Sequence, residues 1–412
     1  MGKTAMGIFA IRRVLNAMPE ASVLVIAPSQ PVVKSWKAEL ARCTTAFEHV
    51  DVATVDKAAR DWATMPVYDL LVIDEIHQVP TPKRAGCLKI RHKMVLGLTA
   101  TFERLDERHK LVEKVAPVVD RITLAEGVRN GWTSRHATYV VMCDIEDLNK
   151  YNAMTNEFKR LFKKFGYDFQ LPFNLLKSND VRLEYINNIA IPAIQEKNGW
   201  DDYFVARRRA DIFKEAYKSA MADSRAFIKA MTDRKNFIYH HPKKLEVAER
   251  IINARKGCKT ITFWETIEDA ERVEEGRTYA SPSPENKYTE KINRETLDWF
   301  EKTPGAVINT VRALNLGFNC PEITLGIMAG FNSSGTSATQ RKGRVIRVDK
   351  MFSGKQAEVY YIVLAQTKDE HWAEKALKGT DYVLIGEKDL DRFLRGEEID
   401  FIEGKLAEGG RY

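Results

Sequence analysis

The sequence has 412 residues, of which 44% are hydrophobic and 29% charged, a composition that is ordinary for a globular protein with two or three domains. It lacks the run of about eighteen apolar residues that a membrane-spanning helix needs, and its start lacks the character of a signal peptide. Five well-separated cysteines argue against a disulfide framework or a structural zinc site and favour the cytoplasm. The net charge of +7 is compatible with a polyanionic partner but does not indicate one.

The first 125 residues alternate between helical and strand patterns. Ile8, Ile11 and Leu15 recur at helical spacing. Short apolar strands are predicted at 23–26, 70–73 and 94–96. Such strands, separated by amphipathic helices, are typical of a parallel sheet that is covered on both faces. Ligands of these sheets bind beyond the carboxyl ends of the strands, which is where polar residues stand in this sequence.

Residues 126–250 are predicted to form a connector and a mainly helical insertion, because strand patterns are rare there. Basic residues cluster in this stretch, beginning with Arg207, Arg208 and Arg209. Such a cluster is either a solvated helical face or a surface that contacts nucleic acid.

Strand-helix alternation resumes in 251–380, which is predicted to form a second parallel α/β domain. Residues 381–412 are predicted to be a charged and peripheral tail. We therefore expect an α/β protein with two parallel-sheet domains, at 1–125 and 251–380, and a mainly helical insertion between them.

Gly2-Lys3-Thr4 directly precedes the first predicted helix. Backbone amides at a helix N-terminus favour an anion, a lysine there reaches terminal phosphates, and a hydroxyl can bind Mg²⁺. Gly2, Lys3 and Thr4 are therefore candidate nucleotide-binding residues. The alternative is an ordinary helix start, because a tripeptide occurs easily by chance.

Asp74 and Glu75 follow the second apolar strand. Two adjacent carboxylates at the end of a buried strand are costly unless a cation or a reaction uses them. Asp74 is a candidate Mg²⁺ ligand, and Glu75 a candidate for activating the water that attacks a γ-phosphate. The alternative is a helix N-cap with acidic residues that compensate the helix dipole.

Two further pairs of polar residues are candidates, a threonine pair at a strand end and an arginine pair on a predicted helix. Thr99 and Thr101 end the third strand and are candidates for coupling a phosphate site to a facing domain. Arg344 and Arg347 stand three residues apart, on one face of a predicted helix. Paired guanidiniums suit a phosphate whose negative charge grows in a transition state. An ordinary turn and a basic surface helix are the respective alternatives.

These patterns follow one another in order: Lys3, then Asp74-Glu75, then Thr99, then the arginines in the second α/β domain. In this order and spacing the sequence resembles a superfamily 2 helicase or translocase of the DExH type, of the bacterial or bacteriophage kind, over residues 2 to about 370. Further segments that match the motifs of this family are Ala27-Pro28-Ser29, Ile261-Thr262-Phe263 and 310–321.

The resemblance implies two RecA-like domains that bind ATP and Mg²⁺ between them and move along nucleic acid, with DNA favoured over RNA. It also implies that His77 and Gln340 couple the nucleotide that is bound to how tightly the nucleic-acid strand is held. Arg344 and Arg347 are implied to be arginine fingers. Three hydroxyl residues are implied to hold the phosphate backbone of the tracked strand: Ser29, Thr54 and Thr310. Asn319 stands where this family commonly has Asp, which argues against a charged role there.

The phosphate loop of this family reads Gly-x-x-x-x-Gly-Lys-Thr and follows a central strand, whereas this sequence begins one residue before Gly2. The first domain is therefore expected to be incomplete, so that an upstream segment or a separate chain completes it. Three other functions fit the same residues: a duplex translocase that does not separate strands, a motor subunit of a restriction or remodelling complex, and a nucleic-acid-binding module whose truncated phosphate loop impairs catalysis.

Overall fold

A computed structural model of the chain describes residues 2–43, 47–100, 102, 107–311, 320–331, 335–348, 354–404 and 406. Its strands form two parallel sheets, one of four strands and one of seven. Within the described residues, every helix is too short or too polar to cross a bilayer.

The first sheet has the strand order β2-β1-β3-β4, and all neighbouring strands are parallel. Its strands are β1 (Val23–Ala27), β2 (Val50–Thr54), β3 (Tyr68–Asp74) and β4 (His92–Leu98). The helices of this part are α1 (Lys3–Ala17), α2 (Gln30–Cys43), α3 (Val55–Asp61) and α4 (His109–Glu113).

Alternate residues of β1 face opposite sides of this sheet, as a strand period of two requires. Val23 and Val25 pack with Ile8 and Trp36 on one face. Leu24 and Ile26 pack on the other face, in a cluster that includes residues of α3. Because both faces are covered, the polar residues that end the strands are confined to the carboxyl edge of the sheet.

A helical region follows the short helix α5 (Leu124–Arg129) and strand β5 (Arg135–Cys143). Its helices are α6 (Leu148–Lys164), α7 (Leu171–Lys177), α8 (Asn179–Tyr185), a π-helical turn (Ile186–Ala190), α9 (Ile191–Asn198), α10 (Asp202–Arg207) and α11 (Arg209–Tyr239). This region has apolar clusters of its own, around Phe158, Phe162 and Phe227 and around Ile186 and Ile212. It therefore packs as a unit, as the prediction of a mainly helical insertion requires.

The second sheet has the order β11-β5-β10-β9-β6-β8-β7, again with parallel neighbours. Its later strands are β6 (Thr260–Trp264), β7 (Arg277–Ala280), β8 (Val307–Val311), β9 (Leu325–Met328), β10 (Gln356–Leu364) and β11 (Val383–Gly386). The remaining helices are α12 (Pro242–Ala254), α13 (Ile267–Glu271), α14 (Glu290–Lys302), α15 (Gly335–Val345), α16 (Lys368–Leu377) and α17 (Leu390–Leu394).

Two segments differ from the sequence-based expectation. The range 126–250 is predicted to hold a connector and a mainly helical insertion outside the second sheet, yet β5 pairs with both β10 and β11 inside that sheet. The range 381–412 was expected to be a peripheral tail, yet it supplies β11 and the fully buried Leu390. The reason is sheet pairing across more than 200 residues, which the local composition of β5 does not reveal.

Candidate functional site

The N-terminus of α1 lies at one wall of the candidate site. Gly2 is its N-cap residue and has the left-handed φ of 52°, which glycine adopts without steric cost. Gly2 itself provides no side-chain cap for this helix end, and amides at a helix N-terminus favour an anion. The Lys3 ammonium contacts the Glu75 carboxylate, which is 72 residues away in the chain. The structure thus joins two of the predicted site residues directly.

Asp74 is the last residue of β3, and both of its carboxylate oxygens accept hydrogen bonds. Oδ2 accepts from the indole Nε1 of Trp36 at 3.0 Å, and Oδ1 accepts from the amide of Glu75 at 3.0 Å. Burial raises the pKa of Asp74 above its ordinary value, although the Trp36 hydrogen bond opposes the shift. A buried carboxylate of this kind is favoured in its charged form by a bound cation.

Glu75 has a left-handed backbone with φ of 52°, which is uncommon for a residue other than glycine. Such conformations cost on the order of 1–3 kcal/mol and cluster at functional sites. Burial alone would raise the pKa of Glu75, but the neighbouring His77 and Lys3 outweigh it, so the pKa lies below its ordinary value. Glu75 is therefore held as a carboxylate at the carboxyl edge of the sheet.

His77 connects the ends of β3 and β4. Its Nδ1 lies 2.8 Å from the Thr99 hydroxyl and 3.3 Å from Glu75 Oε2, and the side chain is buried. Glu75, His77 and Thr99 therefore form a continuous polar chain across two strand ends. Thr101, the second predicted coupling residue, lies outside the described residues.

The three hydroxyl residues expected to contact nucleic acid have different surroundings. Ser29 follows β1, and its Oγ is buried without a hydrogen-bond partner among the described residues. The Thr54 hydroxyl caps α3 by accepting from the amide of Lys57 at 3.3 Å. The Thr310 hydroxyl donates to the Thr262 carbonyl at 2.8 Å within the second sheet.

The predicted arginine pair belongs to the second sheet's side of the molecule. Gln340 and Arg344 lie on α15, and Arg347 lies just beyond its end. Burial lowers the pKa of Arg344 to about 10, with the charge of Arg347 as a second cause, and burial also lowers the pKa of Arg347. Arg344 is buried and Arg347 is partly buried, and two neighbouring cations that repel each other suit an anionic partner.

A buried ion pair between Arg341 and Glu265 holds α15 against the second sheet. The Arg341 guanidinium donates to Glu265 Oε1 at 3.0 Å and also to the Gly330 carbonyl. Gly330 has no room for a side chain, because a Cβ there would lie 2.5 Å from the backbone nitrogen of Glu265. Arg341 is thus committed to the packing of α15 rather than to a ligand.

The basic cluster of the insertion lies apart from these strand ends, at the junction of α10 and α11. All three arginines are exposed. Arg208 lies over the ring of Phe204 and 3.5 Å from Asp211, and Arg209 donates to Asn187 at 3.3 Å. These contacts are compatible with a solvated face and with a surface that binds phosphates.

Sequence reasoning missed Trp36 and Glu265. Helical spacing indicated only that Trp36 is buried, and nothing local connects it to Asp74, which is 38 residues away. The Glu265–Arg341 pair spans 76 residues. Only the three-dimensional contacts identify these residues as supports of the site.

Thr4 and Asp74 are the candidate ligands of a magnesium ion, in a site with few protein ligands. Among the described residues there is no group of three or more His, Cys, Asp or Glu side chains that could hold a metal ion. Mg²⁺ usually keeps several waters and is bound by one or two carboxylates together with phosphates of a substrate. Asp74, at the carboxyl end of β3, would supply one such carboxylate.

Two family descriptions match separate parts of the chain. "Type III restriction enzyme, res subunit" matches residues 1–104, which contain the first sheet. "Helicase conserved C-terminal domain" matches residues 243–349, which include α15 and much of the second sheet. A DNA 3'-5' translocase XPB2 from Sulfurisphaera tokodaii is 24% identical over 382 residues, which cover 89% of this chain and 76% of the relative.

Solved structures with the same fold include S. cerevisiae Dbp5 bound to RNA and ADP BeF3. It is 12% identical, with a TM-score of 0.52 and coverage of 96% of this chain and 85% of that one. The ATP-dependent Type ISP restriction-modification enzyme LlaBIII bound to DNA is also 12% identical, with a TM-score of 0.50 and coverage of 93% and 29%. These similarities confirm the predicted fold of two RecA-like parallel-sheet domains. The two family matches, one on each sheet, together with the translocase relative, show that the chain is an ATP-dependent nucleic-acid helicase or translocase.

Proposed function

We propose that the chain hydrolyses ATP with residues from both sheets and uses the cycle to move along DNA. The observation that carries the proposal is the contiguous group of Lys3, Asp74, Glu75, His77 and Thr99 at the carboxyl edge of the first sheet. Ligands of parallel sheets bind at that edge. The backbone strain at Glu75 also supports a functional role for this edge.

On this wall, Lys3 binds the terminal phosphates and Glu75 accepts a proton from the attacking water. Thr4 and Asp74 would hold Mg²⁺, which neutralises phosphate charge when bound. Lys3 contacts Glu75 in the structure, so a γ-phosphate competes with Glu75 for the same ammonium. Binding of ATP would thereby release Glu75 to act as a base.

On the other wall, Arg344 and Arg347 stabilise the charge that grows on the γ-phosphate in the transition state. Gln340 and His77 respond to whether ATP or ADP is bound. His77 couples this change to Thr99 through their 2.8 Å contact. Thr101 is proposed to take part in the same coupling. Alternate closing and opening of the two walls would then move the strand.

The proposed nucleic-acid contacts are neutral hydroxyls near the sheets and cations on the insertion. The buried and unpartnered hydroxyl of Ser29 supports the first part, because buried polar atoms are normally hydrogen-bonded. DNA is proposed because the similar protein from Sulfurisphaera tokodaii is named a DNA translocase. The residues are Ser29, Thr54, Thr310, Arg207, Arg208 and Arg209.

The free edge of β4 supports a further part of the proposal, that an upstream segment or a separate chain adds a strand there. Among the described residues β4 pairs only with β3. Met94 on β4 is exposed, and so are Met6 and Phe9 on α1, which packs against β4. An apolar and unpaired edge is a ready site for strand addition.

The test is ATP hydrolysis with and without single-stranded DNA, on this chain and on an N-terminally extended form, with Glu75→Gln as the control. DNA-stimulated turnover that is lost in the Glu75→Gln chain is the expected result. Turnover in the extended form alone would support the added strand at β4. DNA binding without turnover in either form would contradict the motor and favour a binding module.

A strand-displacement assay beside a triplex-displacement assay separates the two kinds of movement. A helicase releases the strand of a duplex, whereas a duplex translocase displaces only the third strand.

A further inference from the structure

The carbonyl end of α15 lies beside both predicted catalytic arginines. The last carbonyls of a helix have no partner within the helix and need donors from elsewhere. Here the carbonyls concerned belong to Val345, the last residue of α15, and to Ile346 and Arg347, which directly follow it. Whatever binds these carbonyls therefore fixes the backbone from which Arg344 and Arg347 extend.

Ser134 supplies one set of donors. Its backbone amide and its hydroxyl lie 2.9 Å and 2.8 Å from the Ile346 carbonyl, and the hydroxyl lies 3.0 Å from the Arg347 carbonyl. Ser134 is buried and directly precedes β5. It is thus the end of the connection that leads from the first sheet into the second.

Lys355 supplies the second set of donors. Its ammonium lies 2.8 Å from the Val345 carbonyl, 2.8 Å from the Arg347 carbonyl and 2.6 Å from the Pro321 carbonyl. These three acceptors match the three hydrogens of an ammonium group. A cation at the C-terminus of a helix is also favoured by the helix dipole.

We propose that Ser134 and Lys355, which we call the α15 cap, are positioning residues for Arg344 and Arg347. This rests on the proposed function, in which the two arginines act on ATP. The α15 cap joins the arginine backbone to the connection between the sheets through Ser134. It joins the same backbone to Pro321 through Lys355. A shift of about 1 Å in a catalytic group can lower a rate by about 10²-fold, so loss of the cap acts on turnover rather than on binding.

A cap that only stabilised the fold would behave like any other capped helix end, and the chain offers a matched control. Lys259 is buried, and its ammonium donates to the Glu301 carbonyl at 2.8 Å, one residue before the end of α14. It also binds Glu322 at 2.5 Å. Because α14 carries none of the proposed catalytic residues, Lys259→Met removes a comparable cap without touching the arginines.

The experiment compares Lys355→Met, Lys355→Arg, Ser134→Ala and Lys259→Met in the full chain. Thermal melting, kcat and KM for ATP, and DNA affinity without nucleotide are measured for each. Lys355→Met and Ser134→Ala are expected to lower kcat about tenfold or more relative to Lys259→Met, with KM and DNA affinity nearly unchanged. Lys355→Arg keeps the charge and several donors, so it should recover part of kcat.

If Lys355→Met and Lys259→Met melt alike and have the same kcat, the positioning role is contradicted. Hydrogen-deuterium exchange over residues 340–348 gives an independent measure. Exchange there should rise in Lys355→Met and not in Lys259→Met, and equal exchange would overturn the proposal whatever the turnover. Absence of turnover in both the parent chain and its N-terminally extended form, or unaffected Arg344→Ala and Arg347→Ala chains, would contradict the proposed function itself, and the positioning role with it.

Discussion

At the scale of single residues, the Lys3–Glu75 contact links the proposed phosphate-binding helix end to the proposed base. The positive charge of Lys3 is one reason why the pKa of Glu75 lies below its ordinary value. Lys3 and Glu75 therefore interact before ATP hydrolysis begins. Replacing either one should change catalysis in a distinguishable way.

Glu75→Gln removes the proton acceptor but keeps the size and most hydrogen bonds of the side chain. We expect kcat to fall by about 10²–10⁴-fold, the usual contribution of a general base, with ATP affinity retained. Steady-state turnover and equilibrium binding of a fluorescent ATP analogue measure the two effects. Glu39→Gln, at a partly exposed residue of α2, is the control, and equal losses in both chains would contradict the assignment.

Trp36→Phe deletes the indole donor to Asp74. That hydrogen bond lowers the pKa of Asp74 against the opposing effect of burial, so its loss should raise the pKa further. Because Asp74 must be ionised to hold a cation, the acid limb of the pH profile of kcat/KM should move to higher pH, and more Mg²⁺ should be needed. Leu40→Val on the same helix controls for packing, and an unmoved acid limb would count against this role of Trp36.

Lys342 offers a stability test. It is buried, donates to the Thr138 hydroxyl at 3.0 Å, and burial lowers its pKa to about 8. Below that pH both folded and unfolded chains are protonated here, and the folded chain carries the full cost of burying the charge. From pH 8 up to about 10.4 the unfolded chain binds more protons, so the free energy of unfolding rises with pH.

Lys342→Met should remove this rise, which is on the order of 1–3 kcal/mol. Urea unfolding of the parent and variant across that window gives the difference at each pH. The exposed Lys291→Met is the control. A difference between parent and Lys342→Met that stays constant with pH would contradict a buried, titrating lysine.

At the scale of elements, local sequence predicted the strands that end in polar residues, because β1 and β3 are short apolar runs that end in Ala27-Pro28-Ser29 and Asp74-Glu75. It did not predict the sheet membership of β5, in which polar residues such as Arg135 and Thr138 interrupt the apolar pattern. Pairing with β10 is a property of the folded chain, and no local pattern encodes it.

The junction of α10 and α11 carries the proposed nucleic-acid contact of the insertion. Replacing Arg207, Arg208 and Arg209 together with Gln should weaken DNA binding and flatten its salt dependence. The slope of log K against log salt changes by about 0.7 for each lost contact to a single-strand phosphate, so up to about 2 is expected. Binding titrations over a salt series measure it.

The control for this prediction is a triple variant on and beside α14, with Gln at Lys287, Lys291 and Lys302, which removes the same charge elsewhere. If both triple variants show the same slope, the arginines act only through net charge. If neither changes the slope, the junction is a solvated face.

At the scale of the whole molecule, the order of motifs along the chain predicted two parallel-sheet domains, and the structure confirms them. The sequence did not predict the individual side-chain contacts. Lys3 and Glu75 are 72 residues apart, and Ser134 and Ile346 are 212 apart. Such pairs depend on how helices and strands pack, so residue types at strand ends identify a site but not its supports.

In the proposed function, ATP turnover drives movement of the chain along DNA. The most direct measurement is the phosphate released per bound chain on single strands of increasing length, with a trap that prevents rebinding. A chain that moves hydrolyses ATP until it reaches an end, so phosphate per binding event should increase with strand length, and Glu75→Gln should release none. Equal phosphate release at every length would contradict movement and show an ATPase that is only activated by DNA.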